Sequence, residues 1–516
     1  MNNQLNRRHF LALSVAGAAA AALAACTTPD PAAAGPERLM PTDTAVAEAE
    51  SLRPTSGATV SQALNAASLT AMVAGTSVTT WGFNAALAGP VIRARTGDRL
   101  NVNLANGLPE ETTIHWHGLA LRNDQDGVQH ITQDPVRAGA SYGYDFRLAH
   151  PGTYWYHSHV ELQRERALYG ALIVEDPEEP LTYDKDWVII LDDWMDGITG
   201  TPEDVLAELS QGMSMGGMDH GSMGSSPGPS GGAMGMGMKH MLMGSRSDFL
   251  GGDAGDVSYP FHLFNAKAPD DAEVFAATAG EMVRLRIINA AGDTAYRVGI
   301  PGQKLTLTHT DGFPVQHQDV DAVVLGMGER IDALVTVGEG FTPVLALPEG
   351  KTGKALGFFG TGTGKKPLPA VLPDSLDGTI MDGSQLKADP AVALSVKTPD
   401  RTHELKLTGG MDKYDWGING NRFAMDKPFE HAFEIKAGER VQVDFVNDTD
   451  MWHPMHLHGH TFQVGADGAR KDTVIVRPKQ SVRVFFDAEN PGQWLVHCHN
   501  AFHAERGMMA LFSYIK

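Results

Sequence analysis

Gly97-Asp98-Arg99-Leu100-Asn101-Val102-Asn103-Leu104-Ala105-Asn106 is a phrase that the chain uses three times. It returns as Gly280-Glu281-Met282-Val283-Arg284-Leu285-Arg286-Ile287-Ile288-Asn289 and as Gly438-Glu439-Arg440-Val441-Gln442-Val443-Asp444-Phe445-Val446-Asn447. Each copy opens on a Gly-acid turn, runs as a strand with apolar residues at every second position, and closes on Asn. A Gly-acid turn before a strand is common, but three copies of identical length are not. Their spacing of about 160–180 residues predicts three homologous all-β domains of ordinary size. Short strands between Gly, Pro, Asn and Asp turns predict sandwiches or barrels. Helical periodicity is confined to Glu203–Leu209 and Val160–Leu168.

A second repeat joins only the outer copies. Pro151-Gly152-Thr153-Tyr154-Trp155-Tyr156-His157-Ser158-His159 parallels Pro491-Gly492-Gln493-Trp494-Leu495-Val496-His497-Cys498-His499. Two further clusters are His115-Trp116-His117 and His453-Pro454-Met455-His456-Leu457-His458, and His503 and Met508 follow the last repeat. On a strand, residues two apart share a face, so each His-x-His pair aims two imidazoles at one cavity. Parity then separates two sites. Cys498 faces away from His497 and His499, and His453 faces away from His456 and His458. Cys498 and His453 can therefore meet, joined by His503 and Met508, as the thiolate, two imidazoles and weak thioether of a blue-copper site.

Eight His remain opposite: His115, His117, His157, His159, His456, His458, His497 and His499. That is too many for one ion and suits a cluster of three. Zinc is the main rival, but structural zinc sites close at four ligands and are typically Cys-rich. His130, His150, His262, His309, His317, His403, His431 and His460 stand outside the clusters and read as satisfied polar residues.

On these motifs the chain resembles the three-domain multicopper oxidases, the laccase and copper-efflux or copper-resistance group, from Ser61 to Lys516. The resemblance implies three cupredoxin-like Greek-key domains and four copper ions. It puts His453, Cys498, His503 and Met508 on the type 1 ion, and His115 and His456 on the type 2 ion. His117, His157 and His499 fall to one type 3 ion, and His159, His458 and His497 to the other. A one-electron donor would reduce the type 1 centre, and Cys498, between two cluster ligands, would give electrons a covalent path toward O2, which is reduced to water. Protons must be relayed, and Asp126, nine residues after His117, matches the family's relay Asp, although it also reads as a turn acid before Gly127. Glu505 is the second candidate relay. It stands one position later than the Glu of copper-efflux oxidases and closer to the copper-resistance pattern.

The remaining features concern export and substrate. Arg7-Arg8 before an Ala-rich apolar run resembles a twin-arginine signal, and Leu23-Ala24-Ala25-Cys26 resembles a lipobox whose Cys26 carries lipid; ordinary cleavage at an Ala-x-Ala site is the alternative. The expected organisation is a signal at 1–26, a flexible tether within a linker at 27–60, and domains at 61–180, 181–350 and 402–516 with a second linker at 351–401. The middle domain carries a Met-rich insertion at 211–245, whose Met213, Met215, Met218, Met223, Met234, Met236, Met238, Met241 and Met243 are spaced by Gly and Ser around His220 and His240. Thioethers suit Cu(I), so the segment reads as a Cu(I) collector. The alternative is low-complexity drift, and its place in the second domain departs from the copper-efflux oxidases. With 41 Lys+Arg against 62 Asp+Glu, the formal charge of −21 disfavours nucleic acid and suits a cation. Two Cys exclude a disulfide framework. The expected protein is a periplasmic oxidase, touching a membrane only through Cys26, that takes O2 and a one-electron donor. Cu(I) is the expected donor, with a phenol or Mn(II) as the same-class alternative. A copper store or a structural protein is the alternative from another class.

Overall fold

In the computed structural model, residues 36–212 and 239–516 are described. The signal and lipobox readings, and Met213 to Met238, lie outside them. Arg38 and Ile515 form an isolated antiparallel bridge. Residues 39–514 hold three pairs of sheets and are all-β apart from short helices such as Thr44–Ser51, Pro202–Leu209 and Ala501–Glu505. Pro202–Leu209 begins on a capping box between Thr201 and Asp204, with Pro at its first turn.

The repeated phrase occupies the same place in each pair. Arg99–Gly107, Met282–Asn289 and Arg440–Asn447 each lie between a parallel neighbour and an antiparallel one. Their parallel partners are Thr59–Val73, Lys185–Trp194 and Arg401–Gly410. The opening glycines share φ values of 85°, 88° and 84°, which only Gly adopts freely. The closing Asn is a cross-link in every copy. Asn106 donates to the carbonyls of Glu110 and Val136, Asn289 to Thr294 and Leu325, and Asn447 to Met451 and Val476. Leu325 and Val476 lie in the sheet facing their Asn, so this side chain ties the two layers where the strand ends.

Two expectations are corrected. The tether does not extend over Thr44–Ser51, which is a helix whose Glu50 accepts from the backbone N–H of Arg147. The stretch 351–401 is not a plain linker. Ala355–Gly360 is a fully buried strand between Phe341–Pro348 and Glu273–Ala276, and Ile380–Asp382 forms an edge strand. Burial on both faces erases the polar alternation that marks a half-exposed strand, and two glycines among six residues mimic a loop.

A candidate copper centre

Register puts the His clusters on facing positions. His115 pairs with His157, and His456 with His497, while Met455 pairs with Cys498, so Cys498 points away from the His-rich face. On that other face, the Cys498 Sγ lies 3.6 Å from His453 Nδ1 and 3.7 Å from His503 Nδ1, and the two Nδ1 atoms are 3.0 Å apart. Met508 is fully buried in the same apolar cluster, and its carbonyl accepts from the Cys498 N–H. His503 Nε2–H donates to Asp256 Oδ2 at 2.8 Å, an oxygen that also accepts from the Tyr414 hydroxyl at 2.6 Å. The Trp416 ring lies 4.1 Å from that of His503. His503 has no exposed side-chain surface.

The His-rich face gathers His115, His456 and His458; His115, His117 and His157; and His159, His458 and His497, with the ligating atoms of each group within 4.8 Å of one another. His159 is partly exposed and the others are buried. Burial above all, reinforced by neighbouring imidazoles, holds His157, His159, His458 and His497 well below the ordinary histidine range. They are neutral at pH 7, with lone pairs available. Acceptors fix which nitrogen is free. Asp126 Oδ2 takes the Nδ1–H of His458 at 2.9 Å, and the Cys498 carbonyl takes that of His497 at 2.9 Å. Both Nε2 atoms therefore carry lone pairs, yet they face each other at 3.1 Å. Two lone pairs at that distance repel unless a cation lies between them. The Nε2 atoms of His115, His157 and His456 and the Nδ1 of His117 are likewise buried without a partner. Orphaned buried nitrogens are rare, and convergent ones are the mark of a metal site. The residues fit copper.

His499 is the exception. It belongs to none of those groups, and its ring nitrogens lie 2.9 and 3.2 Å from the Arg164 guanidinium, which also donates to its carbonyl at 2.6 Å. Asp126 is fully buried, touching His458 and, at 3.2 Å, His115. Glu505 ends the helix Ala501–Glu505 and lines a cavity of about 40 Å3 with His157, His159, His497 and Arg164. Burial, then the charge of Glu161, pushes its carboxyl up to about 7. His240 is held by Glu208 and the Thr199 carbonyl, both at 3.0 Å.

The residues that spacing could not find are Asp256 beside His503, Arg164 on His499, and Arg330 with Asp472. Asp256 looks like another turn acid in Gly252-Asp253-Ala254-Gly255-Asp256. No local signal ties it to His503, 247 positions away.

Multicopper oxidase signatures match residues 66–179, 185–342 and 397–515. The multicopper oxidase MmcO of Mycobacterium tuberculosis is 40% identical, over 99% of this chain and 97% of that one. Copper resistance protein A of Escherichia coli is 29% identical, over 82% and 87%. Among solved structures, the multi-copper oxidase from Pseudomonas thermotolerans has a TM-score of 0.65 at 26% identity, covering 88% of this chain and 99% of that one. The laccase from Botrytis aclada shares the fold with a TM-score of 0.72 at 23% identity, covering 91% and 89%. Matched along all three sheet pairs and nearly end to end by a relative, the chain belongs to the multicopper oxidase family, copper-dependent oxidoreductases with O2 as electron acceptor.

Proposed function

We propose that this oxidase takes Cu(I) as its electron donor and serves copper tolerance. The observation that carries this reading is the cover over His503. In this site the donor-facing imidazole nitrogen is bonded to a buried carboxylate that also accepts from a phenol hydroxyl, with no surface left for an aromatic ring to touch. A carboxylate beside the entry point attracts a cation and adds nothing for a neutral phenol. The last residues of the Met-rich insertion bear on the same spot, since the Leu242 N–H donates to the Asp256 carbonyl at 2.7 Å and Met241 pairs with Val257. Relatives named copper resistance protein A support the reading.

Four copper ions are proposed. His453, Cys498, His503 and Met508 would hold the type 1 ion, and His115 and His456 the type 2 ion. His117, His157 and His499 would hold one type 3 ion and His159, His458 and His497 the other, which requires His499 to turn from Arg164. Bound copper would supply the one-electron steps and the binding of O2. The protein's own part is orientation and proton supply. Asp126, which holds His458 and His115, and Glu505, which lines the small cavity, are the proposed relays for protons. Glu505→Gln should slow O2 reduction and leave reduction of the type 1 centre unchanged.

The proposed domains are 61–180, 181–350 and 402–516, with the strands of 355–382 added to the second. A twin-arginine signal at 1–26, a lipid on Cys26 and a periplasmic location complete the proposal. No helix among the described residues is long and apolar enough to cross a membrane. The test is O2 uptake by the copper-loaded chain offered Cu(I) or a substituted phenol, with no-enzyme controls. Fast uptake with Cu(I) and slow turnover of phenol is expected, and the reverse would make the protein laccase-like. No uptake with either, at full copper content, would make it a copper store.

A further inference from the structure

We infer that Arg330, from the middle sheet pair, is a positioning residue for the His cluster: through Asp472 it fixes which nitrogen His117 presents and where His456 stands. This rests on the ligand reading above. The middle sheets supply none of the clustered His, yet Arg330 reaches all three sheet pairs. Its guanidinium donates to both oxygens of Asp472, at 2.8 and 2.6 Å, and to the carbonyls of Thr153 and Gly328, both at 3.1 Å. Its backbone N–H is held by Asp311 at 2.9 Å. Arg330, Asp311 and Asp472 have no exposed side-chain surface.

Asp472 faces the cluster on its other side. Its Oδ1 lies 3.0 Å from His117 Nε2 and 3.3 Å from His456 Nδ1, and its carbonyl lies 2.9 Å from the same His456 nitrogen. A carboxylate held in a guanidinium fork is acceptor-only. His117 must therefore carry its proton on Nε2 and offer Nδ1, while His456 carries its proton on Nδ1 and offers Nε2. Those two nitrogens are the ones left buried without a partner. Asp472 sits close enough to His117 and His456 to pass for a third ligand. Both of its oxygens are already engaged by Arg330, which makes it their acceptor instead.

The arrangement is built in from several directions. Lys471, next in sequence, enters the middle sheets beside it, bonding Thr310 at 2.8 Å, Asp311 at 3.0 Å and Glu329 at 3.1 Å. Gly118, which follows His117 with φ of 88°, leaves the space that the Arg330–Asp472 pair fills, because a Cβ there would strike both. Outer partners that orient metal-ligating His typically change metal affinity by about 10- to 100-fold when removed.

The experiment uses the copper-reconstituted full chain with Arg330→Met, Arg330→Lys, the paired change Arg330→Met with Asp472→Leu, and His456→Ala as reference. Blue absorption reports the type 1 centre, electron paramagnetic resonance the type 2 centre, and melting of the apoprotein the fold. Arg330→Met is expected to weaken cluster copper by about 10- to 100-fold and to abolish the type 2 signal while blue absorption per chain persists. Arg330→Lys should restore part of the signal. The paired change removes the buried charges together, so it should recover the melting temperature but not the signal. An unchanged type 2 signal in Arg330→Met overturns the inference. So does a signal that returns with stability in the paired variant, or blue absorption lost in step with it. If His456→Ala keeps the type 2 signal while Arg330→Met loses it, the ligand reading itself falls, and this inference with it.

Discussion

At the scale of single residues, the chemistry turns on which atom of each side chain is already engaged. Asp256 has one oxygen shared between His503 and Tyr414, while its Oδ1 is buried with no partner. An unpaired buried carboxylate oxygen beside the entry imidazole is poised for a cation. Asp256→Ala should lower kcat/KM for Cu(I) by tenfold or more, about 1.4 kcal/mol or above, and leave phenol turnover equal or raised. Parallel losses with both donors, in steady-state O2 uptake, would point to damage at the type 1 centre instead. Gly118 makes a second case. At φ of 88° and against the Arg330–Asp472 pair, any side chain meets both backbone strain and a clash. Gly118→Ala should cost about 1–3 kcal/mol, read as a lower melting temperature of the apoprotein together with loss of type 2 copper.

At the scale of elements, the turn Gln163–Arg166 brings Arg164 to His499 and leaves Glu165 among other buried acids. Burial, then the charge of Asp193, pushes Glu165 up to about 8 against the opposing pull of Arg164, and the Tyr259 hydroxyl donates to it at 2.9 Å. The folded state therefore binds a proton that the unfolded chain, titrating near 4.5, has already released. Stability conferred by that proton is present below about pH 4.5 and is lost as the pH rises toward 8, by an amount on the order of a few kcal/mol. Glu165→Gln should flatten this slope in a series of apoprotein melts from pH 5 to 8, and an unaltered slope would acquit Glu165. The Met-rich insertion is a second element with a defined footing. Its far root is fastened by the His240–Glu208 pair and by Met241, which is buried in the same core as Tyr414 and Trp416. A deletion should therefore remove 213–238 and spare 239–245. The expected result is a raised KM for Cu(I) with unchanged phenol oxidation; an unchanged KM would leave the segment without a role in donor capture.

At the scale of the whole molecule, the middle sheet pair acts as the frame on which the outer two present their His. Arg330, Lys471 and Asp472 lock the third pair to the second, and the Arg330 contact with the Thr153 carbonyl locks the first. The formal charge of −21 sets a field around that frame. Its attraction for a cationic donor is screened by salt, with a Debye length of about 10 Å at 0.1 M. The rate constant for Cu(I) should fall as ionic strength rises from about 0.01 to 0.2 M, while that for a neutral phenol stays level. Equal salt dependence for both donors would remove charge steering from the account.

Sequence alone determined the repeating strand, its three copies and the two faces of the His clusters. Those depend on period-two geometry within a few residues, and the closing Asn of each copy does the same work in all three. Parity alone divided Cys498 and His453 from the eight other His. Only the tertiary structure decided what surrounds them. Asp256 reaches His503 across 247 positions, Asp472 reaches His117 across 355 and Arg330 reaches Asp472 across 142, and nothing in a turn acid or a strand Arg announces such a partner. The strand Ala355–Gly360 was hidden for the complementary reason, since burial on both faces removes the alternation by which a strand is read. Local pattern fixes which atoms can face one cavity; which protons they keep is settled by neighbours that the fold alone brings near.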